Sequence, residues 1–305
     1  MSGDDQHDQS LPRTALPAGS LAAFVRLFTE LDSASGSKRR DAAMREWFSQ
    51  APAADAAWAL TLLSGRARKR HVSSRRLREI ARARIDLPEW LFDESYAQVG
   101  DSAETVALLC AARPQGGILG ELPDGRSLKE PLAHWMTEVV PRVGVTPPEN
   151  QEQFFATLWA ALDAETALVV NKLFTGGFRV GVSERSVLRA LSAATEVDLS
   201  LLSRRMTGWK SPGADAWEAL VKPGASELDS GAAYPFYLAS PLSTPEDLGY
   251  RAEDWIVEWK WDGIRLQIIK RQGTVTLWSR GEEAINTAFP ELTAAMGELP
   301  DGTVI

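Results

Sequence analysis

The chain has 305 residues, 44% hydrophobic and 24% charged, with a formal net charge of −8. This is long and apolar enough for two domains with real cores. The single Cys110 excludes an intramolecular disulfide and predicts a reducing, cytoplasmic setting. No uninterrupted apolar run approaches the roughly 18 residues of a membrane span, and "MSGDDQHDQS" lacks the basic-then-apolar order of a signal peptide. These features predict a soluble protein without a membrane partner.

Residues 1–17 are polar and Pro-containing and read as a flexible lead-in. The pattern then becomes helical. "SLAAFVRLFTELD" opens on a Ser cap and sets Leu21, Phe24, Val25, Leu27, Phe28 and Leu31 along one face. "SKRRDAAMREWFSQ" and "DAAWALTLLSG" follow, the second stopping at Gly65. Further helices are predicted in "SSRRLREIARARIDL", "SAETVALLCAAR", "LKEPLAHWMTEVV", "NQEQFFATLWAALDAETALVVNKLF", "SERSVLRALSAAT" and "DLSLLSRRM". The breaks are Gly/Pro-rich turns, and no fixed-period repeat is present. The expectation is an all-α domain over 18–210.

The net charge taken alone argues against a nucleic-acid binder, but its distribution does not. Arg66 to Arg84 holds nine Lys or Arg against one acid, Glu79. Arg66, Arg68, Lys69 and Arg70 read as an exposed loop. The following run is equally an ordinary amphipathic helix with Leu77, Ile80, Ala81 and Ile85 inward and its arginines solvated. His7, His71 and His134 show no metal-ligand spacing, and Cys110 lies on an apolar helical face. The tryptophans are expected mainly in cores.

Residues 211–233 are rich in Gly, Pro, Ser and Ala and read as a linker. After it the period changes to two. "WIVEWKW", "IRLQIIKR" and "TVTLWSR" are strand-like, the last two joined by "QG" as a hairpin. A sheet-bearing domain is therefore expected over 234–305, thin for an independent core.

Within "VEWKWDGIRLQIIKRQGTVTLWSRGEE" the period of two puts Glu258, Lys260 and Asp262 on one face and Val257, Trp259 and Trp261 on the other. Gly263 permits a turn and a close backbone approach. Arg265 opens the next strand and Arg280 closes the one after it. A neutral lysine can attack phosphorus, although a free lysine has a pKa of about 10.4. Arginines, a metal ion and desolvation would each lower it. The same arginines could hold phosphate or ribose oxygens. The plain alternative is a solvated strand lysine balanced by two acids.

Lys260-Trp-Asp-Gly-Ile-Arg265 resembles the K-x-D-G-x-R signature of covalent nucleotidyltransferases: ATP-dependent DNA ligases, RNA ligases and mRNA capping enzymes. Ser279 and Arg280 in "SRGEE" resemble the second signature. "VNKLFTGGFRVGVSERSVLRALSAA" (170–194), "VGDSAETVALL" (99–109) and "YPFYLASPL" (234–242) resemble segments of the bacterial three-domain ATP-dependent DNA ligases. The resemblance implies a helical DNA-binding domain followed by the start of an α+β, antiparallel-sheet adenylation domain.

It implies further that Lys260 carries AMP, that Glu258 meets the adenine end of ATP, that Arg265 meets the sugar or the DNA 5′-phosphate, and that Arg280 meets the nucleotide. Asp262 and Gly263 would shape the loop. The implied cofactors are ATP and Mg²⁺, the partner is nicked duplex DNA, and the protein is expected to act as a monomer. In the helical domain Gly176, Gly177 and Gly181 permit backbone approach to phosphate, Lys172 and Arg179 supply charge, and Ser183 caps the next helix. A glycine-stopped helix followed by a capped one, with no ligand, is the alternative.

The family's third signature, D-G-E on a strand, is not in the chain. "DG" at 301–302 precedes Thr303 and reads as the turn before that strand. The expectation is an N-terminal piece, without the OB-fold, that neither adenylates efficiently nor seals DNA. Two other readings stay open: a DNA-binding module with a non-functional catalytic stub, and an RNA ligase or capping-type nucleotidyltransferase.

Overall fold

The computed structural model describes residues 16–67, 69–111, 122, 126–178, 180–207, 209, 211–224, 231, 233–234, 244, 251–255, 259, 261–280 and 283–305. The chain separates into two compact units, Met1–Thr195 with Ser211–Ala219, and Glu196–Lys210 with Leu220–Ile305. Each is described by itself.

The first unit is helical. It runs α1 (Leu21–Ser33), α2 (Ser37–Gln50), α3 (Ala53–Leu63), α4 (Ser74–Ile85), α5 (Glu89–Val99) and α6 (Ser102–Cys110). It continues with α7 (Leu132–His134), a π-helical turn (Trp135–Val139), α8 (Val140–Val145), α9 (Pro148–Ala161), α10 (Ala164–Thr175) and α11 (Glu184–Thr195). The Ser20 hydroxyl accepts the Ala23 N–H at 3.2 Å, and all six apolar residues predicted on the face of α1 are buried. Gly65, at φ +70°, stops the chain after α3 as expected.

Two aromatic clusters hold the unit together. Phe24 and Phe28 pack on Phe178 with ring centroids 5.5 and 5.1 Å apart, and Phe24 meets Trp47 at 5.6 Å. Phe155, Trp159 and Phe174 form the second, with Phe155 centroids 5.3 and 5.1 Å from the other two. Each such ring contributes on the order of 1.5–3 kcal/mol of burial. Phe178 lies in the loop after α10, so its burial fixes that loop to the core.

Two expectations are corrected. The run 150–174 is not one helix: it breaks between α9 and α10, where Asp163 accepts the Thr166 N–H at 2.8 Å and starts a new helix. The stretch 211–233, read as a linker, contains helix α13 (Ala214–Val221), which follows α12 (Leu199–Thr207). Trp217 of α13 stacks on Phe48 at 5.8 Å, so one aromatic anchor makes that segment helical despite its Gly/Pro-rich flanks.

In the second unit β1 (Leu266–Arg271) and β2 (Thr274–Ser279) form an antiparallel hairpin, and α14 (Pro290–Ala295) follows. Gln272 and Gly273, at φ +50° and +73°, make the two-residue turn predicted from "QG". Ile269 and Trp278 share a face and are fully buried against Ala233, with Ala284 packed on them. The Trp278 indole N–H donates to the Gly231 carbonyl at 2.9 Å. Beyond β1, Ile268 and Ile305 exchange two backbone hydrogen bonds of 2.9 Å, and Lys270 N–H donates to Thr303 O at 2.9 Å. Residues 302–305 therefore run as a further antiparallel ladder, and Asp301–Gly302 is the turn before it, as read from the sequence.

Candidate functional site

The hairpin brings the two predicted arginines together. Leu266 pairs with Ser279, and one step outward the Arg280 N–H donates to the Arg265 carbonyl at 3.2 Å. Cross-strand neighbours project from the same face of an antiparallel pair. Both arginines are exposed at the open end of the hairpin, where the preceding run enters. Glu258 and Lys260 lie outside the described residues. Asp262 and Gly263 are exposed. Gly263 has no left-handed φ, and a Cβ there would meet nothing within 4 Å, so the described fold does not itself demand glycine.

Trp259 and Trp261 depart from the expected core role, being 85% and 83% exposed and outside any strand among the described residues. The core tryptophans include Trp135, Trp159 and Trp278.

In the helical unit two segments distant in sequence meet. The His71 and Val72 N–H groups donate to the Phe174 carbonyl at 2.9 and 3.1 Å, docking the basic loop on the end of α10. Arg66 forks onto Glu184, the first residue of α11, with two bonds of 2.8 Å. Ser183 caps α11 as expected, its hydroxyl accepting the Ser186 N–H at 3.2 Å. Lys69 and Arg70 are exposed beside this junction, while Arg68 and Arg179 lie outside the described residues.

Gly176 is the tight point. It ends α10 at φ +67°, and a Cβ there would sit 2.9 Å from the Lys69 carbonyl oxygen. Gly176→Ala is expected to destabilise the helical unit by about 2 kcal/mol, read as a lowered thermal midpoint. Gly177→Ala should change it little, because its Cβ would meet only Thr175 Oγ1 at 3.8 Å. Gly181, also at φ +67°, has its carbonyl held by Arg40 Nη1 at 3.2 Å.

Lys172 has a different partner from the one expected. It is buried, and its ammonium bonds Oδ2 of Asp101. Oδ1 of the same carboxylate caps α6 by accepting the Ala103 and Glu104 N–H groups at 2.8 and 3.1 Å. Burial pushes the Asp101 carboxyl up, but the Lys172 bond and charge and the two amides outweigh it and leave it below the ordinary carboxylate range. The inner face of α10 thus uses this lysine for scaffolding, and its neighbour Asn171 likewise accepts the Trp159 indole N–H at 3.0 Å.

The α4 arginines are also engaged with the protein. Arg76 meets Glu152 at 2.8 Å, Arg78 meets Asp93 at 3.2 Å and lies 4.8 Å over Phe92, and Arg82 meets Glu89 at 3.4 Å. Cys110 is buried, which pushes its thiol up to about 11, so it is not a reactive thiolate.

Sequence reading missed Arg40. Its guanidinium holds the Leu31 and Ala34 carbonyls at the end of α1 at 2.9 Å each, besides Gly181. No local pattern reveals this, because the partner loop is 141 positions away.

A helical unit that gathers a glycine-bearing loop beside exposed cations, and a sheet unit with paired arginines after a K-x-D-G run, are the two parts expected of a nucleotidyltransferase acting on nucleic acid. Residues 20–192 match the family described as DNA ligase N terminus, and residues 237–304 match the ATP dependent DNA ligase domain. The chain belongs to the ATP-dependent DNA ligase family. It is similar to a DNA ligase of Caldivirga maquilingensis, 26% identical over 74% of this chain and 39% of the relative. It is also similar to a DNA ligase of Pyrobaculum islandicum (27%, over 67% of this chain and 35% of the relative) and a probable DNA ligase of Koribacter versatilis (28%, 59% and 31%). The chain thus spans between about a third and two fifths of these relatives. They are archaeal as well as bacterial, so the similarity supports the family without narrowing it to bacterial members. No helix among the described residues is long and apolar enough to cross a membrane.

Proposed function

We propose that this chain carries the duplex-gripping and nucleotide-accepting parts of an ATP-dependent DNA ligase that seals nicks through a lysyl-AMP at Lys260. The observation that carries this reading is one chain joining a ligase-type helical domain over 20–192 to the Lys260–Arg265 signature. The helical unit, Met1–Thr195 with Ser211–Ala219, grips the duplex, and residues 234–305 begin the adenylation domain. The protein acts as a cytoplasmic monomer.

Neutral Lys260 Nζ attacks the α-phosphorus of ATP, the bond to pyrophosphate breaks, and the amine gives up a proton. The paired, exposed Arg265 and Arg280 fit a polyanionic substrate and stabilise charge as pyrophosphate departs. Glu258 serves the adenine end, and Asp262 and Gly263 shape the loop. AMP then passes to a 5′-phosphate, and the 3′-hydroxyl displaces it. Among the described residues no group of three His, Cys, Asp or Glu could hold a metal ion. Mg²⁺ bound with the nucleotide would offset phosphate charge. On the duplex, Lys69, Arg70, Arg68 and Arg179 face phosphates, with the backbone at Gly177 and Gly181 and the Ser183-capped end of α11 beside them.

Incubation of the full-length enzyme with α-labelled ATP or GTP tests the class. Protein-bound AMP from ATP alone is expected, and GMP labelling would move the protein to the capping-type enzymes. Nicked-duplex binding without any labelling of the full-length enzyme would favour the DNA-binding module.

A further inference from the structure

The hairpin face that presents Arg265 and Arg280 carries a second feature. In the β1–β2 register Gln267 pairs with Trp278. Because side chains alternate along a strand, this is the next pair on the arginine face, roughly 7 Å along the strands from the arginines. Gln267 is half-buried and Trp278 fully buried.

Both members of that pair hold chain from outside the hairpin. The Trp278 indole N–H donates to the Gly231 carbonyl at 2.9 Å, and the Tyr234 N–H donates to Oε1 of Gln267 at 2.8 Å. Ala233, between them, packs on Ile269 and Trp278. Gly231 lies so close that a Cβ there would sit 3.1 Å from Thr276 Oγ1. An apolar strand residue at 267 could cover this face, but only a side chain with an acceptor can take the Tyr234 N–H. The opposite face is used differently. There Lys270 Nζ donates to the Gly297 and Leu299 carbonyls at 2.6 and 2.7 Å and steadies the turn before the terminal ladder.

We propose that Gln267 and Trp278 are positioning residues for the nucleotide: they hold Gly231, Ala233 and Tyr234 as a wall beside Arg265 and Arg280, which orders the two guanidiniums before ATP arrives. The inference rests on the lysyl-AMP reading. Long, exposed arginine side chains lose rotamer freedom when they bind phosphate, and a fixed wall one pair away takes part of that loss in advance. Without the wall the nucleotide must order the arginines itself. That weakens ATP binding and leaves the rate at saturating ATP nearly as it was.

The test is the rate of AMP labelling of the full-length enzyme against ATP concentration, measured well below the thermal midpoints. It compares wild type, Gln267→Met, Trp278→Phe, the double variant and Lys270→Met. Methionine keeps the length of the glutamine without its acceptor, and phenylalanine keeps an aromatic ring without the indole N–H. Each single variant should raise half-saturating ATP about fivefold, the order of one side chain left to be ordered, with the maximal rate within about twofold of wild type. The double variant should be little worse than the poorer single, because both bonds hold the same stretch of chain. Lys270→Met, the control on the other face, should lower the thermal midpoint and leave half-saturating ATP unchanged. Gln267→Met decides by itself if Trp278→Phe does not fold. Wild-type half-saturation in Gln267→Met overturns the positioning role and leaves the ligase reading standing. So does an equal rise in Lys270→Met, or effects that multiply in the double variant. If wild type takes up no AMP from ATP, both readings fall.

Discussion

Full-length enzyme carrying Lys260→Ala is expected to take up no labelled AMP, a loss on the order of 10³-fold or more. The amine is the only group proposed to bond phosphorus, and neither neighbouring arginine can replace it because a guanidinium stays protonated. Lys260→Arg should therefore fail as completely as alanine, although it keeps the positive charge. Both variants should still seal a nick supplied already adenylated at its 5′-phosphate, since the final displacement does not use the lysine. Retained labelling in either variant sinks Lys260 as the AMP carrier. Failure on pre-adenylated DNA would instead point to lost folding or lost DNA grip.

Asp101→Ala should cost the helical unit about 3 kcal/mol, whereas Lys172→Met should cost no more than about 1 kcal/mol. The asymmetry follows from burial: the Lys172 side chain is 7% exposed and Asp101 37%. Removing the carboxylate leaves an ammonium without its partner in the interior and takes the cap from α6. Removing the ammonium with an apolar side chain of similar length leaves a carboxylate that still caps α6 and reaches water. Chemical denaturation of both variants measures the difference, and equal losses would contradict it.

The same pair gives a pH dependence. The folded pKa of Asp101 is depressed, so the unfolded chain binds the proton more readily. Its stabilisation is fully present above the unfolded carboxylate value of about 3.9 and is lost as pH falls through the lower folded value. Lys172→Met, which removes the largest stabilising partner, should weaken that acid sensitivity.

Much of this was legible in the sequence. The apolar face of α1, the Ser20 and Ser183 caps, the Gln272–Gly273 hairpin and the Asp301–Gly302 turn all follow from near-neighbour rules, because caps and turns are made by residues within a few positions. The pairing of Arg265 with Arg280 was legible for the same reason, since a two-residue turn fixes the register. Length and pattern misled where one residue outweighed composition, as Asp163 did in splitting a helix and Trp217 did in making one.

By itself the sequence determined most of the elements, the Ser20 and Ser183 caps and the family signature around Lys260, since these depend on spacing along a few turns or strand residues; it missed α5 and α13. Only the tertiary structure decided which cations are spent inside the protein. Lys172 and Arg66 carry the same formal charge as Lys69 and Arg70, yet the first two are bound to Asp101 and Glu184 while the others are exposed. Those partners come from chain 71 and 118 positions away. Burial and pairing across such distances are properties of packing, which local pattern does not encode.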